Sequence, residues 1–177
     1  MAVCAILGAY ASVQITINNN GFFNSPMSHI KISDSAVLSH PAGIVHFVLQ
    51  DFRAYGEWWP KPVRFTMLED DRTMRVQNGR LVSWTATVTE IKPEELIRFR
   101  YEGTWIGEAC WIISSTPTGS TVEYRVDLEP RPLWLKIVQK VVNLGKMHSH
   151  QMQNVFRALE QRVDRVAEGR RMFGGEK

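Results

Sequence analysis

From Trp134 to Val166 the apolar residues recur at helical spacing along a single stripe. At about 100° per residue, ten residues fall within about 40° of the stripe centre: Trp134, Val138, Val141, Gly145, His148, Met152, Phe156, Leu159, Val163 and Val166. Lys136, Lys140 and Arg165 fall on the opposite side, and Gly169 is a plausible stop. A helix this long with one continuous apolar stripe must lie across a large apolar surface. The chain therefore has to supply such a surface elsewhere.

Residues 61–130 supply it. Ile97, Phe99 and Tyr101 alternate with Arg98, Arg100 and Glu102, and Val122, Tyr124, Val126 and Leu128 alternate with Thr121, Glu123, Arg125 and Asp127. Trp84, Ala86 and Val88 alternate with Thr85, Thr87 and Thr89. Period-two alternation predicts strands with one wet face and one buried face. The breaks at Asn78-Gly79, Lys92-Pro93-Glu94 and Pro117-Thr118-Gly119 read as hairpin turns. Connections this short rule out parallel crossovers, so the strands form an antiparallel meander.

Ahead of the meander, Ile30 to Leu38 reads as a first strand. Pro41 suits the opening of a helix whose apolar residues are Ile44, Val45, Val48, Leu49 and Phe52. Asp51 can cap a second short helix ending at Gly56, and Trp58-Trp59-Pro60 closes the segment. Before Lys31 there is no charged side chain. The apolar run from Ala2 to Ile17 is shorter than the roughly 20 residues a bilayer span needs. It lacks the basic start of a signal peptide, although Ala9-Tyr10-Ala11 resembles a cleavage site. The expected organisation is an N-terminal extension over 1–27 outside the fold, a domain over 28–169 and a flexible tail over 170–177, with a cytoplasmic location.

The 177 residues, 44% of them hydrophobic and 22% charged, suffice for one domain with a real core. Two cysteines, Cys4 and Cys110, make no disulfide framework, and the five histidines show no zinc spacing, so neither metal nor cofactor is expected. Residues 131–177 carry 10 Lys/Arg against 4 Asp/Glu. Such a helix is either a solvated face or a contact for an anionic membrane or a protein partner. No nucleic-acid fingerprint is present.

The order of strand, two short helices, meander and long helix resembles the START/SRPBCC helix-grip superfamily, in its polyketide cyclase/dehydrase-like branch. The matching residues are Asp51 and Tyr55 before Trp58-Trp59-Pro60, Trp84 to Glu90 followed by Pro93, and Gly119 to Tyr124 before the last helix. The likeness covers about residues 28–168. It implies an α+β helix-grip fold, a curved antiparallel β-sheet wrapped around the long C-terminal α-helix. It also implies a pocket between the two for a hydrophobic small molecule. Relatives of this kind include lipid carriers, quinone-binding proteins and aromatase/cyclases.

Alternation and stripe position select the pocket candidates: Trp58, Trp59, Trp84, Phe99, Tyr101, Trp111 and Tyr124 from the sheet side, and Val141, Gly145, His148 and Met152 from the helix. His148 is the one candidate acid/base, since histidine titrates near neutral pH. It is also readable as a core histidine bonded to a sheet carbonyl or a tyrosine. Glu108 faces water if Trp105, Gly107, Ala109, Trp111 and Ile113 face inward, and enters the pocket in the opposite register. With no nucleophile–base pair, phosphate loop or paired carboxylates, the chain reads as a binder of a lipid, isoprenoid or polyketide more than as an enzyme. The alternatives are a polyketide cyclase/aromatase-like enzyme using His148 or a tyrosine, and a docking module for protein or membrane.

Overall fold

The computed structural model describes residues 15–17, 29–141 and 144–173, without the side chains of 15–17, 139–144 and 173. Eight antiparallel strands form one open sheet in the order β1-β2-β8-β7-β6-β5-β4-β3. They are β1 (Ile15–Ile17), β2 (Ile30–Leu38), β3 (Val63–Met67), β4 (Thr73–Asn78), β5 (Val82–Lys92), β6 (Leu96–Gly103), β7 (Trp105–Thr116) and β8 (Gly119–Pro130). The helices are α1 (Ala42–Gln50), α2 (Tyr55–Trp58), α3 (Leu133–Val141) and α4 (Leu144–Phe173), with a 3-10 turn over Phe52–Ala54. Short antiparallel strands followed by a long helix make the α+β helix-grip fold expected above. β1 comes from the N-terminal stretch and pairs with residues 34–36 of β2. The rest of the expected extension, Cys4 included, lies outside the described residues.

Each predicted hairpin is present, and β3 to β8 pair neighbour with neighbour. The alternation holds in detail. Ile97, Phe99 and Tyr101 are buried on β6, as are Ala109, Trp111 and Ile113 on β7 and Val122, Tyr124, Val126 and Leu128 on β8. Gly107 is required where it stands. Its φ is +137°, and a Cβ there would sit 2.1 Å from the Asp127 carbonyl oxygen on β8. Only glycine lets the two long strands approach this closely.

The expected second helix starts later and ends differently. Asp51 makes no side-chain capping bond, and Gly56 lies inside α2 rather than at its end. The helix stops instead at Trp59, extended at ψ 136°, because the following Pro60 disfavours helical geometry before it.

The C-terminal stripe is correct for its second part and not for its first. Along α4, Met152, Phe156, Leu159 and Val163 are at most 3% exposed. Burying side chains of this kind stabilises the fold by roughly 1.5–3 kcal/mol each. Gly169 does not end α4, which runs on to Phe173. The expected helix is described as α4 and, over Leu133–Val141, α3. Leu135 is its buried residue, and Trp134 is 45% exposed. No helix among the described residues is long and apolar enough to cross a membrane.

Candidate functional site: an aromatic cavity with a polar pair

Between the inner face of the sheet and α4 lies a cavity of about 210 Å³. Its position follows from sequence: inward residues of β4 to β8 form one wall, and Met147, His148, Gln151, Met152 and Val155 of α4 form the other. Of the predicted residues, Trp59, Trp84, Phe99, Tyr101, Trp111, Tyr124, His148 and Met152 line it together. Trp58 does not. It is 5% exposed and packs in the core edge-on to Tyr55, with ring centroids 5.2 Å apart. Adjacent residues leaving a helix point to different sides, and here Trp59 takes the cavity. Gly145 is half-buried and is not part of the lining. The Val141 side chain lies outside the described residues.

The wall is an interlocked set of rings. Trp59 stacks on Tyr55 at 5.7 Å and meets Trp111 edge-on at 6.2 Å, and Trp111 lies 4.5 Å from Tyr124. Ring contacts of this kind each add roughly 0.5–1.5 kcal/mol beyond area burial. The indole N–H groups of Trp84 and Trp111 are buried and make no hydrogen bond of acceptable geometry.

Polar groups gather on one side. The Tyr101 and Tyr124 hydroxyls hydrogen-bond to each other at 2.7 Å. Burial raises both phenols above their ordinary pKa, and for Tyr124 the neighbouring Tyr101 adds to it, so both stay neutral. The Tyr55 hydroxyl is spoken for, donating to the Leu49 carbonyl at 2.6 Å. The His148 ring stacks on Tyr124, centroids 6.0 Å apart and 5° from parallel. Its Nδ1 sits 3.4 Å from the Asp34 carboxylate.

Asp34 escaped the sequence reading, and so did the partner of His148, which is neither a carbonyl nor a tyrosine. The signal was present. Ile30, Ile32, Asp34, Ala36 and Leu38 share one face of β2. The alternation that places Leu38 at 0% exposure also buries Asp34, at 2%. A bond from Nδ1 to a carboxylate fixes the tautomer and leaves Nε2 for a ligand. Tyr55, Phe65 and Trp105 are further lining residues that had not been assigned to the pocket.

A larger concavity, about 490 Å³, lies on the outer face of the sheet. Its charges already pair, Lys31 with Asp127 at 3.0 Å, Arg98 with Glu108 at 3.3 Å and Arg125 with Glu123 at 2.6 Å. Glu108 thus faces solvent. Among the described residues no group of three or more His, Cys, Asp or Glu could hold a metal ion.

Residues 29–168 match the profile of a family described as polyketide cyclase / dehydrase and lipid transport. No curated protein is similar enough to count as a match. Among solved structures, a START superfamily protein from Mycobacterium smegmatis aligns with a TM-score of 0.59 at 17% identity, over 77% of this chain and 98% of its own. The ZhuI aromatase/cyclase from a Streptomyces species aligns with a TM-score of 0.60 at 14% identity, over 84% of this chain and 99% of its own. A protein from Thermus thermophilus gives a TM-score of 0.60 at 20% identity, over 78% of this chain and 98% of its own. At these identities the structures share the fold with this chain.

Proposed function

Since the chain belongs to the polyketide cyclase / dehydrase and lipid transport family, we propose that it holds a hydrophobic small molecule, a lipid, isoprenoid or polyketide-like compound, in the cavity and does not transform it. The observation that carries this reading is the cavity itself, lined by aromatic and aliphatic side chains of the sheet and α4. Burying about 200 Å² of apolar ligand surface would contribute about 5 kcal/mol before ordering costs. The tyrosine hydroxyls and His148 Nε2 would orient one oxygen-bearing end of the ligand. The cavity measures about 210 Å³. Most ligand pockets hold roughly 300 Å³ or more. The difference favours a compact ligand or the insertion of one end of a longer one.

The Asp34–His148 pair supports a second reading, a cyclase/aromatase-like enzyme. A histidine oriented by a carboxylate beside a cavity is suited to moving a proton at a bound polyketone. The two readings separate in one experiment. Native mass spectrometry of the full chain, with organic extraction of the bound fraction, is followed by titration with fatty acids, isoprenoid quinones and aromatic polyketides. Stoichiometric binding with the ligand recovered unchanged supports the carrier. Turnover that His148→Ala abolishes while binding survives supports the enzyme. A chain that binds none of the panel refutes both.

A further inference from the structure

Helix α3 presents its apolar side to solvent. Leu133 is 73% exposed, Trp134 45% and Ile137 57%, while Leu135 on the opposite side is 5% exposed and anchors the helix to the protein. On a helical projection the three exposed residues share an arc of about 100°. Shortly after α3, Met147 is 59% exposed. Soluble proteins seldom leave large side chains grouped this way without a partner.

The two ends of α3 both run into the cavity wall. Before it, Pro130 pairs with Trp105, and the Arg131 N–H donates to the Thr104 carbonyl at 3.0 Å. Trp105 and Leu128 line the cavity. After it, Met147 and His148 line the cavity from α4. The exposed apolar helix therefore bridges two parts of the cavity rim.

Charge identifies the partner. From residue 131 to residue 159 the chain carries five Lys/Arg and no Asp/Glu. Lys136 is held by Glu129 at 2.7 Å, which still leaves the segment positive. A two-fold contact with a second copy would place this positive segment against itself. Apolar residues with a tryptophan on one side of a short helix, in a basic segment, match the chemistry of a bilayer interface, where indoles sit at headgroup level and cations meet anionic lipids.

We propose that α3, with Met147, docks this chain on an anionic lipid bilayer and turns the cavity rim toward the membrane. The docking needs no ligand, so its failure and that of the carrier reading are separately visible.

The test is co-sedimentation of the full chain with phosphatidylcholine vesicles, with and without phosphatidylglycerol. Binding to the anionic vesicles is expected at low salt and should weaken at high salt. Leu133→Asp/Ile137→Asp should lower the affinity by more than about tenfold, because it removes two apolar contacts with the bilayer. Both positions are exposed, and a native circular dichroism spectrum confirms the fold. Trp134→Gln is the milder second variant, expected to weaken binding in the same direction. No binding to anionic vesicles at low salt overturns the proposal. So does undiminished binding by both variants. Light scattering that shows a dimer lost on Leu133→Asp/Ile137→Asp would assign the face to a second copy and also overturn it.

Discussion

Replacing His148 by leucine removes the imidazole from the buried Asp34 carboxyl group. Asp34 is 2% exposed and His148 28%, at 3.4 Å. The hydrogen bond between them contributes about 1 kcal/mol of net stability. Breaking it from the two sides is unequal. His148→Leu leaves the Asp34 carboxyl buried and without its partner, a loss of about 1–3 kcal/mol. Asp34→Leu removes the desolvated carboxyl group and leaves an imidazole that already reaches water. That variant should lie within about 1 kcal/mol of the native chain. The double variant should resemble Asp34→Leu alone. Urea denaturation of the three variants at neutral pH measures all of this. Equal losses for the two single variants, or single losses that add in the double variant, would refute the reasoning.

Three further outcomes follow from other contacts. Tyr101→Phe or Tyr124→Phe strands a buried hydroxyl and should cost about 1–3 kcal/mol, whereas the double variant should recover to within about 1 kcal/mol of native. Additive losses in denaturant titrations would contradict a mutual pair. Gly107→Ala forces a Cβ to 2.1 Å from the Asp127 carbonyl oxygen at φ +137°. It should cost about 3 kcal/mol or more, lowering Tm by about 6–12 °C, and an unchanged melting curve would contradict the packing of β7 on β8. Burial holds the His46 pKa below its ordinary 6.5, outweighing the opposing effect of Glu94. The unfolded chain therefore takes up a proton more readily, and the stability present above pH 6.5 declines as pH falls below that value. His46→Leu should flatten this decline in pH-dependent unfolding, and an identical pH profile would count against it.

The sheet was legible because alternation is a binary signal repeated over many residues. The strands β5, β6 and β8 followed from it, as did most of the cavity residues that were expected. Asp34 does not show in the apolar pattern of β2, although the same alternation turns residue 34 inward. Trp58 was misassigned because two adjacent tryptophans leave a helix end together, and only the local ψ of Trp59 decides which faces the cavity. The α3 face was legible in composition and not in orientation. A stripe records which residues share a side, not what covers that side: Met152 is 3% exposed, whereas Trp134 on the same stripe is 45% exposed.

The connection between β2 and β8 sets an order of assembly. Ile30 lies opposite Leu128 and Leu38 opposite Ser120, whereas β3 to β8 pair with their immediate successors. Sequential hairpins close short loops and form quickly, while the β2–β8 seam must wait for a long loop to close. On the ribosome, β2 has no β8 to pair with until residues 120–130 have emerged. Asp34 meets His148 only after α4 follows. A nascent chain that ends near Pro130 is a nearly complete sheet with its aromatic face bare, a species that aggregates or engages chaperones before the last helix arrives to cover it.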